Sequence, residues 1–143
     1  MRNQNLFVAL RDAFPADLDV VAVETEDGLS YSWRDLDRAT AMVANLLQSL
    51  DIPPSADGVP PRVAVQVEKS VEAMVLYLAT LRAGFVFLPL NTAYQSAEIE
   101  YFIGNAEPAV VVCSGKHFNW VSKIAFKAGT RHVFTLDDNR TGS

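Results

Sequence analysis

The sequence has few of the residues that cross-link small proteins or hold metals in them. It contains one cysteine, Cys113, and two histidines among its 143 residues. A single cysteine cannot form an intrachain disulfide, and with only two histidines it argues against a zinc site. We therefore expect no bound metal. Because a chain without disulfides suits a reducing compartment, we also expect a cytoplasmic location.

The glycines are too far apart to form a nucleotide-binding loop. They lie at positions 28, 58, 84, 104, 115, 129 and 142. The GxGxxG and GxxxxGK[ST] loops need glycines within a few residues of each other, because backbone amides must approach a phosphate closely. A flavodoxin-type loop is excluded as well, since Glu68, Lys69 and Ser70 follow the first predicted parallel strand.

Positive charge and long apolar runs are also scarce. Twelve Lys and Arg residues against seventeen Asp and Glu residues give a net charge of −5. We therefore expect no nucleic-acid partner, because phosphate binding needs a concentrated positive field. The longest apolar run, Ala73–Ala79, is far shorter than the roughly 20 residues that span a bilayer, so no membrane partner is expected.

Apolar residues, in contrast, are abundant and regularly spaced. They make up 50% of the chain, which is ample for the core of one domain. Leu6, Leu10 and Phe14 recur at helical spacing and predict a short first helix. Two apolar segments, Val20–Thr25 and Leu29–Trp33, flank an Asp-Gly pair and predict a hairpin with a two-residue type I′ turn.

The next segments predict a capped helix and a loop. Ser32 and Asp35 have the spacing of a capping box, and an apolar stripe continues from there to about residue 50. Four of the seven prolines lie in Asp51–Pro61. This segment therefore predicts a surface loop that ends the helix.

From Arg62 onwards, apolar strands alternate with helical segments. Such alternation predicts crossovers onto a parallel sheet, so the fold class is α/β with a mainly parallel sheet, helices on both faces and a small hairpin near the N-terminus. Ser70 and Ser96 are the predicted caps of the first two helices, which end at Arg82 and near Asn105, and the third helix is Phe118–Ala128. The predicted strands are Val63–Val67, Phe85–Leu90, Ala109–Cys113 and His132–Leu136.

Two pairs of residues could carry chemistry on their own. Cys113 and His117 have the spacing of a thiolate–imidazole pair, but Cys113 ends an apolar run and fits a small core residue better. Glu68 and Lys69 follow a parallel strand, where α/β sheets place ligands, although a solvated charge pair is the simpler interpretation.

A family resemblance extends over roughly residues 5 to 135. The stretch Arg62–Cys113 resembles the N-terminal part of the adenylate-forming acyl-CoA synthetases. The segments that match the family's sequence pattern are Glu72-Ala73, Arg82-Ala83-Gly84, Phe87-Leu88-Pro89-Leu90-Asn91 and Ala106-Glu107-Pro108. Within it, VEKSVEAMVLYLATLRAG and PLNTAYQSAEIEYF are most similar to malonyl-CoA synthetases, although many relatives have proline where this chain has Thr92.

The resemblance implies a two-step ligation by a longer parent enzyme. A small carboxylic acid and ATP, with Mg²⁺, give an acyl-adenylate and pyrophosphate, and CoA then displaces AMP. The family's phosphate loop and catalytic lysine lie beyond this segment. We therefore expect residues 1–136 to be one incomplete subdomain of the large domain, 137–143 to be a polar tail, and the chain to be inactive alone.

The resemblance also implies a partial CoA site at Asn91, Thr92 and Lys116, although turn formation and solvation explain these residues equally well. No cofactor is expected to be held by this chain by itself. Apolar surface left bare by missing neighbours predicts self-association. The alternative function is a non-catalytic α/β module that binds a protein partner or a CoA-like nucleotide.

Overall fold

A computed structural model describes residues 5–53 and 55–137. The chain divides into two compact units, the first formed by residues 1–51 and 74–84 and the second by residues 52–73 and 85–143. No helix among the described residues is long and apolar enough to cross a membrane. The elements are α1 (Leu6–Asp12), β1 (Val21–Glu24), β2 (Ser30–Ser32), α2 (Trp33–Ser49), β3 (Arg62–Gln66), α3 (Val71–Arg82), β4 (Val86–Pro89), α4 (Ser96–Ala106), β5 (Val110–Cys113), α5 (Phe118–Lys127) and β6 (His132–Thr135).

In the first unit, β1 and β2 form the predicted antiparallel hairpin, but its turn is of another type. The Gly28 N–H donates to the Thr25 carbonyl at 3.0 Å, and the Thr25 N–H donates to the Leu29 carbonyl at 2.8 Å. Gly28 has a φ of 86°, whereas Asp27 has a negative φ. The predicted type I′ turn is therefore wrong, because only one residue takes the left-handed conformation and the loop has three residues.

Helix α2 begins with the predicted capping box. The Asp35 N–H donates to Ser32 Oγ at 3.0 Å, and the Ser32 N–H donates to Asp35 Oδ2 at 2.9 Å. These two bonds satisfy amides that have no partner within the helix. The capping box is thus a local signal for the start of α2, while the Trp33 and Arg34 N–H groups donate to the Val20 and Leu18 carbonyls.

Asp37 of α2 is the centre of a charged cluster in the first unit. Its Oδ1 lies 3.1 Å from Arg11 Nε and 3.0 Å from Arg82 Nη1. The Phe7 ring lies 4.8 Å from the Arg82 guanidinium. Burial tends to raise the pKa of Asp37, but the hydrogen bonds and charges of both arginines outweigh it and hold that pKa below its ordinary value. The cluster thus joins α1, α2 and α3 through one ionised carboxylate.

The second unit contains a four-stranded sheet in the order β4-β3-β5-β6, with every neighbouring pair parallel. The predicted parallel sheet is confirmed, and each predicted strand agrees with the observed one to within one residue at either end. Val63 and Ala64, which point to opposite faces of β3, are both fully buried. Uniformly apolar strands suit a sheet buried on both faces.

One face of this sheet packs into a core with α4 and α5. Ile99 and Ile103 of α4 are fully buried there, as is Ala125 of α5. Apolar residues four apart on a helix share one face, which explains the spacing of the two isoleucines. The other buried members of this cluster are Ala64, Leu90, Val111, Cys113 and Val121.

Helix α4 differs from its predicted bounds at both ends. Gln95 is the N-cap in place of the predicted Ser96, and its N–H donates to Glu98 Oε2 at 3.0 Å. The helix continues past the predicted end at Asn105 to Ala106, after which Glu107 turns left-handed with a φ of 47°. Gly104 lies within the helix. The left-handed residue that ends the helix is Glu107, three residues later and just before Pro108.

Several apolar side chains of the second unit lie on its surface. Tyr101, Phe118 and Phe126 are 65%, 37% and 55% exposed. Exposed aromatic residues on neighbouring helices are candidates for contact with another surface. The expected self-association stays a prediction, and these exposed residues are candidates for its contact surface.

Candidate functional site

The sheet has a change of winding direction at its centre. The chain passes from β3 to β4 on one side, then crosses back to β5 and β6 on the other side. In open α/β sheets, ligands bind at such a switch point, beside the carboxyl ends of the strands. The carboxyl ends of β3 and β5 are therefore the place to look for a site.

A crevice of about 210 Å³ lies at this edge of the sheet. Its lining residues follow β3, β5 and β6, so the parallel register brings them together although they are distant in sequence. The mixed charges of the lining include one ammonium group and two carboxylates. The lining residues are Glu68, Ser70, Ser114, Lys116, Leu136 and Asp137.

The loop after β5 gives the crevice its shape. A short 3₁₀ turn spans Gly115–His117, and the Gly115 N–H donates to Asp137 Oδ1 at 2.9 Å. A Cβ atom added at Gly115 would lie 2.8 Å from Asp137 Oδ2. Any other residue there would require the Asp137 carboxylate, which is the far end of a flexible side chain, to shift.

Cys113 is a core residue and not a nucleophile. It is fully buried in the cluster between the sheet and α4 and α5. Burial, and to a smaller extent the Asp137 carboxylate, raises the pKa of the Cys113 thiol to about 11. The thiol therefore stays protonated in neutral solution, and the interpretation of Cys113 as a small hydrophobic residue is confirmed. The His117 ring lies 5.4 Å from the Trp120 ring.

Asn91 and Thr92, two of the three predicted site residues, lie in an exposed turn after β4. The Asn91 Oδ1 accepts from the Ala93 N–H at 2.9 Å, and the Asn91 carbonyl accepts from the Tyr94 N–H at 3.1 Å. The third, Lys116, is exposed and lines the crevice, whose lining includes neither Asn91 nor Thr92. The structure thus places the predicted residues on the loops after β4 and β5, on either side of β3.

Two residues at this edge of the sheet, Gln66 and Asp137, are not indicated by the sequence patterns. Gln66 ends β3 with 2% of its surface exposed, and its Nε2 donates to the Asn91 carbonyl at 2.9 Å and to the Tyr94 carbonyl at 3.3 Å. Asp137 belongs to the predicted polar tail, yet it contacts Gly115, and residues 138–143 lie outside the described part. A polar residue within an apolar strand was the one available signal for Gln66.

Metal binding finds no support in the described residues. Across 5–53 and 55–137, no group of three or more His, Cys, Asp or Glu side chains is arranged to hold an ion. Lys116 and the hydroxyl groups of Ser70 and Ser114 instead offer a positive charge and hydrogen-bond donors. Such groups can contact a phosphate, whereas Glu68 and Asp137 oppose a highly charged anion.

Comparison with known proteins identifies similar chains of much greater length. The family model described as AMP-binding enzyme matches residues 11–141. MatB from Rhodopseudomonas palustris matches with a TM-score of 0.88 in its apo form and 0.89 in its ATP-bound form. Both forms have 45% sequence identity, covering 99% of this chain and 27% of that chain.

Two further relatives are more distant. A benzoate CoA ligase from Burkholderia xenovorans LB400 has the same fold, with a TM-score of 0.77 and 22% identity, covering 92% of this chain and 26% of that chain. Tyrocidine synthase 2 from Brevibacillus parabrevis is 30% identical over 135 residues, which cover 94% of this chain and 3% of that protein. This chain therefore spans about a quarter of the solved relatives and a small part of the curated one.

Proposed function

Because the chain belongs to the AMP-binding enzyme family, we propose that it forms part of an ATP-dependent acyl-CoA synthetase that activates a small dicarboxylic acid such as malonate. The observation that carries this proposal is the 45% identity with MatB over 99% of the chain. The sequence motifs similar to malonyl-CoA synthetases support the choice of substrate. In the proposed reaction, the carboxylic acid, ATP and CoA give the acyl-CoA, AMP and pyrophosphate.

The residues of this chain do not fit ATP or Mg²⁺. Its glycines are never closer than the eleven positions that separate Gly104 from Gly115, so the chain contains neither a GxGxxG nor a GxxxxGK[ST] loop. The described acidic residues form no cluster that could hold a cation. We therefore assign no step of the adenylation to these 143 residues.

The resemblance to acyl-CoA synthetases supplies candidate contacts in this chain for CoA. We propose that Asn91 and Thr92 contact its nucleotide from the turn after β4, and that Lys116 contacts it from the loop after β5. Lys116 is exposed, and a lysine beside a phosphate gains a charge-assisted hydrogen bond. These three residues make few contacts, so we expect this chain alone to hold no CoA at micromolar concentrations and to contact it only weakly, with a Kd on the order of 1 mM.

The substrate is tested on the complete synthetase of which this chain is proposed to form part. We expect its kcat/KM to be highest for malonate among malonate, acetate and a long-chain fatty acid. A second carboxylate enclosed in a pocket needs a cationic partner, and a pocket built for that pair disfavours a long apolar chain. A tenfold preference for the fatty acid, about 1.4 kcal/mol in transition-state binding, would overturn the dicarboxylate assignment.

The CoA contact is tested by titrating this chain with CoA and following its amide resonances by NMR. We expect Lys116→Ala to weaken binding about fivefold, which corresponds to about 1 kcal/mol, since one charge-assisted contact is lost. Lys123→Ala is the matched control, because Lys123 is an exposed lysine of α5 outside the crevice lining. Equal losses in the two variants would show that CoA responds only to net charge.

A further inference from the structure

Gln66 is a buried amide side chain at the carboxyl end of β3. It is 2% exposed, while the preceding residues of the strand, Val63, Ala64 and Val65, are apolar. Its register partner on the neighbouring strand is Cys113, the last residue of β5. Gln66 therefore lies at the centre of the edge from which the loops after β4 and β5 depart.

The amide of Gln66 bridges the two ends of the turn that follows β4. Its Nε2 donates to the Asn91 carbonyl at 2.9 Å and to the Tyr94 carbonyl at 3.3 Å. The same turn is closed by the Tyr94 N–H, which donates to the Asn91 carbonyl at 3.1 Å. One side chain thus ties the first and fourth residues of the turn to the end of β3.

The other end of this amide has no hydrogen-bond partner. Among the described residues, Gln66 Oε1 is the buried side-chain oxygen or nitrogen atom that lacks one. An unpaired buried oxygen opposes folding, and an apolar side chain of similar size would avoid that cost. Glutamine at this position forms two hydrogen bonds to the turn, which an apolar residue could not form.

We infer that Gln66 is a positioning residue for CoA binding. It acts through the turn of residues 91–94, holding Asn91 and Thr92 in the conformation that meets the nucleotide. This inference rests on the proposed function, since it assumes that the turn contacts CoA. Gln66 itself is buried and touches the turn backbone, so its influence on the ligand is indirect.

The test compares Gln66→Met with the unmodified chain, because methionine keeps the size of the side chain and removes the donor. We expect amide hydrogen exchange at Ala93 and Tyr94 to become tenfold faster or more, while exchange at Val121 and Val133 stays unchanged. Unchanged exchange in the turn overturns the inference. So does an equal increase throughout the chain, which would show general destabilisation.

The link to CoA is tested by a double-mutant cycle. We expect Gln66→Met and Asn91→Ala each to raise the Kd for CoA about threefold, and the double variant to bind no worse than either single variant. Additive losses overturn the link between Gln66 and Asn91. If Asn91→Ala and Lys116→Ala both leave the Kd unchanged, the proposed CoA contact fails, and exchange in the turn still decides whether Gln66 holds it.

A measurement on the unmodified chain covers the case in which Gln66→Met does not fold. The side-chain NH₂ protons of Gln66 are buried and bonded, whereas Gln95 is exposed. We expect the Gln66 NH₂ protons to exchange with water at least tenfold more slowly than those of Gln95. Equal rates would show that the bonds to the turn do not persist in solution, and would overturn the inference.

Discussion

The purified chain of 143 residues is expected to form no acyl-adenylate and no acyl-CoA from malonate, ATP, Mg²⁺ and CoA. Adenylation depends on groups that position the triphosphate and stabilise the charge that develops in the transition state. The glycine spacing excludes both the GxGxxG and the GxxxxGK[ST] phosphate loop in these residues. The expected effect is complete loss relative to a full-length synthetase.

Two measurements check this prediction. Release of pyrophosphate reports the first step, and formation of malonyl-CoA reports the whole reaction. The control is a complete synthetase of the same family, diluted until its activity reaches the detection limit. Turnover above that limit, rising in proportion to this chain through successive purification steps, would show that these residues do carry out the chemistry.

Replacement of Ile103 by alanine is expected to have the largest effect on stability. Ile103 is fully buried in the core between the sheet and α4 and α5, beside Ile99. Removing three carbon atoms from such a site loses their burial and leaves a cavity, which costs about 3 kcal/mol. Since small domains are stabilised by only about 5–15 kcal/mol, a large part of the folding free energy would be lost.

Chemical denaturation with urea measures this loss as a shift of the midpoint. Ile103→Val is expected to lower the free energy of unfolding by only about 1 kcal/mol, because it removes a single methylene group. Asn105→Ala is the control on the same helix, since Asn105 is exposed and its replacement leaves the core intact. An equal midpoint for Ile103→Ala and Asn105→Ala would show that Ile103 is not part of a packed core.

The sequence predicts the part of the candidate site that lies in the loops at the carboxyl ends of the strands. Lys116 follows a short apolar run that favours a buried strand, and α/β sheets bind ligands at the ends of such strands. Gln66 could not be predicted, because alternation with valines made it equally suited to an exposed face. In the structure, Gln66 pairs with Cys113 of β5 and its amide contacts the turn of residues 91–94, both of which are distant in sequence.

The sequence by itself determined the parallel strands and the start of α2. Uniformly apolar runs are typical of strands covered on both faces. The side chains of Ser32 and Asp35 accept hydrogen bonds from each other's backbone N–H groups, and residues 32–35 mark the start of the helix. Both signals are local, so they need no knowledge of the rest of the chain.

The tertiary structure alone decided the order β4-β3-β5-β6, the hairpin turn at Gly28 and the contact between Gly115 and Asp137. Strand order and the Gly115 contact depend on which distant segments bury each other. The type of turn depends on the register of β1 against β2. An Asp-Gly pair is compatible with more than one turn type, so it does not determine that register. Burial and register are properties of the whole packed chain, and local propensity does not encode them.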